Sequence, residues 1–124
     1  MKLAGCEVLA VMVVAVAAAL FMVEPSEAII SCGEVNSLLI PCLNYVGGSV
    51  GSPSESCCNN VRYLKNRAPF PGDRRVVCQC IKDRAHQFQD PASITKKASE
   101  IPGLCHVNSV SVPDNPNFDC NRIQ

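Results

Sequence analysis

Two neighbouring runs decide the fold: Cys57-Cys58-Asn59-Asn60-Val61-Arg62-Tyr63-Leu64 and Cys78-Gln79-Cys80. Adjacent residues on a helix point about 100° apart. Cys57 and Cys58 are therefore expected to staple one helix to two different elements rather than to bond each other. Cys78 and Cys80 diverge by about 200° on the same arithmetic and do likewise. The polar Gln79 between them is expected to face water.

Nine cysteines in 124 residues approach the level of a disulfide scaffold, but an odd count does not make one. The N-terminus explains it. Met1 and Lys2 give a short positive end, and Val8 to Val23 then runs uncharged and rich in Ala and Val. Glu24, Pro25 and Ser26 break the run, and Ser26-Glu27-Ala28 places small residues at minus three and minus one. That is the layout of a secretory signal peptide over residues 1–28. The apolar run is shorter than the roughly 20 residues a membrane span needs.

Cleavage after Ala28 leaves residues 29–124 as one domain. It removes Cys6 and leaves eight cysteines: Cys32, Cys42, Cys57, Cys58, Cys78, Cys80, Cys105 and Cys120. It also turns a formal charge of zero into ten bases against eight acids. Such a weak basic excess argues against nucleic acid as a partner. The expected location is extracellular, where disulfides persist. Metal binding is the competing use of Cys-x-Cys, and the even count in a secreted chain argues against it.

Four helical segments are expected. The first opens on the capping box Ser31-Cys32-Gly33-Glu34, carries Val35, Leu38, Leu39, Cys42 and Val46 at helical spacing, kinks at Pro41 and ends at Gly47-Gly48-Ser49. The second opens on Ser52-Pro53-Ser54-Glu55, read as a capping box with Pro53 at the first helical position, and buries Cys57, Val61, Leu64 and Ala68. After the loop Pro69-Phe70-Pro71-Gly72 a third runs from about Asp73 towards Gln87, with Val77, Cys80 and Ile81 on its stripe. Asp90-Pro91 starts the fourth, Ile94, Ala98 and Ile101 face inward, and Pro102-Gly103 stops it. Beyond Cys105, Pro113 and Pro116 forbid a long helix, so the tail reads as an extended wrap pinned by Cys120.

Eight cysteines allow 105 pairings, and spacing alone leaves them open. Their number has a mechanical consequence. An empty hole inside a bundle costs about 24 cal/mol per Å3. Each cross-link over a loop of 15 or more residues offsets roughly 3–4 kcal/mol in the chain-entropy model. A stapled bundle therefore tolerates a hole that an unstapled one would close.

The order of the cysteines resembles the plant eight-cysteine family and, within it, the type 1 non-specific lipid transfer proteins. Further matches are Ile30-Ser31-Cys32-Gly33-Glu34-Val35, Pro41-Cys42-Leu43-x-Tyr45, Cys57-Cys58-x-x-Val61-Arg62-x-Leu64 and Asp73-Arg74-Arg75 before Cys78-Gln79-Cys80-Ile81-Lys82. The resemblance implies an all-α fold: a four-helix disulfide-stapled bundle with an irregular C-terminal tail around an internal hydrophobic tunnel. It also implies the pairs Cys32–Cys80, Cys42–Cys57, Cys58–Cys105 and Cys78–Cys120.

The function implied is a carrier of fatty acids, acyl derivatives and phospholipids that touches membrane surfaces transiently, acts as a monomer and works in the apoplast or cell wall. On periodicity alone the apolar stripes are core. The resemblance assigns to the tunnel Val35, Leu38 and Leu39 of the first segment and Val61 and Leu64 of the second. It adds Val77 and Ile81 of the third, Ile94 and Ile101 of the fourth, and Val110 and Val112 of the tail. Arg74 would meet the lipid head group, supported by Asp73. Arg is disfavoured near a helix N-terminus by the dipole, which makes Arg74 informative; an exposed ion pair is the plainer reading.

Two residues depart from the family pattern. Phe70 stands where a Ser or Thr usually caps the third helix. Ser111, preceded by Val110, stands where a Tyr usually reaches the head group.

No nucleophile triad, phosphate loop or paired-carboxylate motif stands out, so neither catalysis nor a cofactor is expected. His86 and His106 are isolated and read as surface residues, with no metal site. Arg62, Lys65, Arg67, Lys96 and Lys97 read as solvated helix faces, with anionic membrane surfaces as a competing contact. Two other functions suit the scaffold: membrane-active defence, and hydrolase inhibition through a rigid exposed loop. The Gly/Ser loop at 47–52 is too flexible for the latter.

Overall fold

A computed structural model describes residues 30–124, and the expected signal peptide lies outside them. Five α-helical pieces make up the bundle: α1 (Cys32–Leu39), α2 (Leu43–Val46), α3 (Glu55–Arg67), α4 (Pro71–Ala85) and α5 (Pro91–Leu104). There is no strand among the described residues.

α1 and α2 are one helical path broken at Pro41. The 3-10 turn Ile40–Cys42 joins them, because proline has no N–H to continue the α-helical ladder. Ser31 caps α1 by accepting the Glu34 amide at 3.2 Å. The expected reciprocal half of the capping box is replaced, since the Glu34 carboxylate is taken by Arg67. α2 ends on Gly48, whose φ of +84° suits glycine. Gly48 N–H donates to the Tyr45 carbonyl at 3.0 Å and Ser49 N–H to Asn44 at 2.9 Å, the paired bonds of a Schellman stop.

Three boundaries differ from the sequence reading. α3 is capped by Ser54, which accepts the Cys57 amide at 3.1 Å, so Ser52 and Pro53 lie before the helix. Both serines suit the role, and Ser54 places Glu55 in the first turn, beside the positive end of the dipole. α4 begins at Pro71, with proline at its first position and Phe70 as an N-cap that makes no side-chain bond. α5 runs through Pro102 to Leu104 rather than stopping there. His106, with φ +57°, then closes it: His106 N–H donates to Gly103 at 3.2 Å and Val107 N–H to Pro102 at 2.8 Å. The Pro102 carbonyl is thus used where its missing N–H is not.

α1 packs on α3 and α4, α2 on α5, and α4 on α5. The disulfides are Cys32–Cys80, Cys42–Cys57, Cys58–Cys105 and Cys78–Cys120. Cys57 and Cys58 tie α3 to two elements, as their divergent directions require. Gln79 is exposed.

The core is divided into three clusters, each built against disulfide sulfur. One holds Tyr45, Val46, Val61, Ile101 and Val107 around Cys42, Cys57 and Cys105. A second holds Ile30, Val35 and Leu64 around Cys80. The third joins Cys78, Cys120 and Ile123. The tail is fastened by more than Cys120. Arg75 Nε donates to the Ile123 carbonyl at 2.8 Å, and Lys82 Nζ to the Phe118 carbonyl at 2.6 Å.

Candidate functional site

Between the clusters lies an apolar cavity of about 280 Å3. Each helix contributes a stripe at helical spacing. α1, its 3-10 turn and α2 supply Asn36, Leu39, Ile40, Leu43 and Val46; α3 supplies Val61, Leu64, Lys65 and Ala68. α4 and its exit turn supply Arg74, Val77, Ile81, Arg84, Ala85 and Phe88; α5 supplies Ile94, Ala98, Ile101 and Pro102. Ser109, Val110, Ser111 and Val112 of the tail close the wall. If dry and empty, a void of 280 Å3 would cost about 7 kcal/mol. Two or three of the four cross-links, at about 3–4 kcal/mol each, are enough to offset it.

Most of the residues expected at the tunnel meet there: Leu39, Val61, Leu64, Arg74, Val77, Ile81, Ile94, Ile101, Val110 and Val112 all line the cavity. Val35, Leu38 and Asp73 do not. Val35 is fully buried in the solid cluster with Ile30, Leu64 and Cys80, and Leu38 packs on that cluster. The cavity side of α1 is the face of Asn36 and Ile40, one residue and about 100° away from Val35. Asp73 is buried in the first turn of α4. It forms no ion pair with Arg74. Neighbours on a helix face different ways, so Arg74 lines the cavity while Asp73 does not.

Polar groups are few in this wall. Arg74 Nε is buried without a hydrogen-bond partner. An unpartnered buried donor costs about 1–3 kcal/mol, and more when charged, so Arg74 stands out in this wall. Towards the other end of α4, the Arg84 guanidinium lies 5.6 Å from the Phe88 ring centroid and donates to Gln87 Oε1 at 2.7 Å. Arg74 and Ala85 are eleven residues apart on one helix, a rise of about 16 Å, so the cavity is elongated along α4.

Outside the cavity, Tyr45 is buried and donates its hydroxyl to Glu100 Oε2 at 2.8 Å. That bond to the carboxylate, helped by burial and by the Glu100 charge, raises the phenol above its ordinary value. Lys97 Nζ lies 5.0 Å from the Tyr45 ring centroid, so Lys97 packs on α2 rather than standing free in solvent. Arg62 likewise spends a donor on the Cys105 carbonyl at 2.8 Å.

Sequence reasoning passed over Ile40, Leu43 and Phe88 as cavity residues. Ile40 and Leu43 continue the spacing from Asn36, a signal masked by the break at Pro41. Phe88 sits beyond the end of α4, where periodicity gives no warning.

The profile of the protease inhibitor/seed storage/LTP family matches residues 32–120. Non-specific lipid-transfer protein 3 of Oryza sativa subsp. indica is 42% identical over 113 residues, 91% of this chain and 91% of that protein. The chain belongs to the plant non-specific lipid-transfer proteins. Solved lipid-transfer proteins share its fold. Lipid transfer protein 1 from barley, in complex with lysophosphatidylcholine, superposes with a TM-score of 0.66 at 43% identity, covering 77% of this chain and 100% of the barley chain. The wheat protein, complexed with two molecules of phospholipid, gives 0.65 at 39% identity, covering 76% and 100%. In this lipid-transfer protein the position of the expected head-group Tyr is held by Ser111, which is exposed and still faces the cavity.

Proposed function

We propose that this protein is a secreted lipid carrier. It holds the acyl chains of fatty acids, acyl derivatives or phospholipids in the cavity between α1, α3, α4 and α5. It moves them between membranes or to the cell wall, without covalent chemistry. Residues 1–28 direct its export and are removed, and the mature chain works as a monomer outside the cell.

The observation that carries this reading is the pairing of an elongated apolar cavity with one orphaned guanidinium nitrogen, Arg74 Nε, in its wall. Each methylene buried contributes up to about 0.8 kcal/mol whatever the head group, so affinity is broad. Arg74 supplies the one strong polar contact, to a carboxylate or phosphate oxygen. The barley and wheat complexes support the same assignment by their lysophospholipid and phospholipid ligands.

The test is displacement of a fluorescent fatty acid from the oxidised protein. Saturable binding, competed by unlabelled fatty acid and lysophospholipid, is expected. No saturable signal would overturn the carrier reading, and vesicle leakage without lipid transfer would favour membrane-active defence.

A further inference from the structure

Phe70 and Ile40 are the most exposed of the large apolar side chains among the described residues, at 69% and 61%. Single exposed apolar residues are ordinary, but both of these border the cavity, Ile40 in its wall and Phe70 next to the wall residue Pro69. Ile40 lines the cavity while facing solvent, so it stands where the cavity opens. Phe70 follows Pro69, which is also both exposed and cavity-lining, and its carbonyl accepts the amide of cavity-lining Arg74 at 3.1 Å. Phe70 also holds the N-cap position of α4, where a Ser, Thr, Asp or Asn would stabilise the helix and a Phe gives no side-chain bond. The sequence thus gives up a helix cap and exposes an aromatic ring at one spot, beside the mouth.

The charges around that mouth are positive. Lys65 is exposed and lines the cavity, and its ammonium has no hydrogen bond or ion pair among the described residues. Arg74, four residues on from Phe70, adds a second cation in the wall, with its Nε buried and unpartnered. The acids on the adjoining helix ends are spent: Glu34 is held by Arg67, and Asp73 is buried.

We infer that Phe70 and Ile40, flanked by Lys65, form the patch by which the cavity mouth docks on an anionic bilayer. The two apolar tips enter the acyl boundary while the Lys65 ammonium reaches back to lipid phosphates. An acyl chain then passes between bilayer and cavity without crossing water. A second copy of this chain fits the patch less well, because a two-fold contact would set the same cations face to face. The inference rests on the carrier reading and names the partner surface of that same site.

The test uses the oxidised protein, Phe70→Thr, and Tyr63→Thr as a control, since Tyr63 is 51% exposed and lies outside the cavity wall. Thr at position 70 provides an N-cap, so that variant is expected to fold at least as well as the parent. Three quantities are measured: fluorescent fatty acid binding in solution, co-sedimentation with phosphatidylcholine vesicles with and without phosphatidylglycerol, and sedimentation of the protein alone. The expected result is unchanged fatty acid affinity for both variants. Partition to phosphatidylglycerol vesicles should weaken about tenfold for Phe70→Thr, as fits the loss of one buried aromatic ring, and stay at the parent value for Tyr63→Thr. Equal partition for Phe70→Thr and parent would overturn the inference, as would equal loss in both variants. A dimer of the protein alone that dissolves in Phe70→Thr would assign the patch to a second copy and overturn it too. Loss of fatty acid binding by the parent would instead sink the carrier reading, which the vesicle data do not measure.

Discussion

Arg67 grips Glu34 with two donors, Nε to Oε1 at 2.8 Å and Nη2 to Oε2 at 3.0 Å. The fork fastens the last turn of α3 to the first turn of α1, 33 residues earlier. It also explains why the capping box of α1 is half built, because a carboxylate committed to a bidentate guanidinium does not fold back on its own helix.

The pair makes stability depend on acid. The bond to Arg67 lowers the Glu34 carboxyl below its ordinary value of 4.5, against a smaller opposing effect of burial. A lowered folded value means the stabilisation is complete above the ordinary carboxylate range. It is lost as pH falls through the lowered folded value. Glu34→Gln is expected to give a small fall in Tm at neutral pH and no difference at the acid end. Thermal unfolding followed by circular dichroism across pH 2–7 checks this. A Tm gap that persisted unchanged into acid would contradict it.

Arg74 carries a second prediction with two readouts of opposite sign. Its Nε is buried without a partner, so Arg74→Met is expected to raise the Tm of the ligand-free protein. The same change removes a charge-assisted contact and should weaken fatty acid binding about tenfold or more. The corresponding fatty alcohol, which brings no charge, should bind nearly as before. Equal losses for acid and alcohol would remove Arg74 from the head-group role.

How much of this was legible in the sequence depends on which force set each feature. The helices were, because the 3.6-residue stripes of Val61, Leu64 and Ala68 or of Ile94, Ala98 and Ile101 answer to burial alone. The choice between Ser52 and Ser54 as cap was not, because both satisfy the local rule and tertiary packing decides. Val35 and Leu38 show a deeper limit. Periodicity says that a residue is buried, and not whether its neighbour is another side chain or a hole. The rotation of α1 between solid cluster and cavity is fixed by contacts with α3 and α4, tens of residues away. Arg74 was named through family resemblance, and its orphaned nitrogen became visible only in three dimensions.

The tail provides a prediction about the staples. Cys78–Cys120 closes a separation of 42 residues, worth about 4 kcal/mol in the chain-entropy model. The double variant Cys78→Ala/Cys120→Ala is expected to lower Tm by about 15 °C or more for a domain of this size. Fatty acid affinity should fall with it, because Ser109 to Val112 form the cavity wall just before the tether. Calorimetry with and without ligand checks both. Retained affinity alongside a lowered Tm would mean that Arg75 and Lys82 hold the tail in place without the bridge.

The cavity itself sets the final prediction, in which stability and binding move apart. Ala98 lines the hole from α5 and packs against Ile101 and its cluster. Leucine there would place apolar atoms where the wall has no partners. Filling a dry void contributes about 1–2 kcal/mol, from roughly 0.8 kcal/mol per buried methylene. Ala98→Leu is therefore expected to raise the Tm of the ligand-free protein and to lower its affinity for long acyl chains more than for short ones. In an ordinary tightly packed core the same substitution would overpack and destabilise by about 1–3 kcal/mol. The sign of the Tm change thus tests whether the space is a hole kept open by four disulfides. A fall in Tm together with unchanged chain-length preference would mean that the wall collapses onto itself in solution. The joint result expected here, a more stable protein that carries lipid less well, would identify the void as a feature retained for binding at the expense of stability.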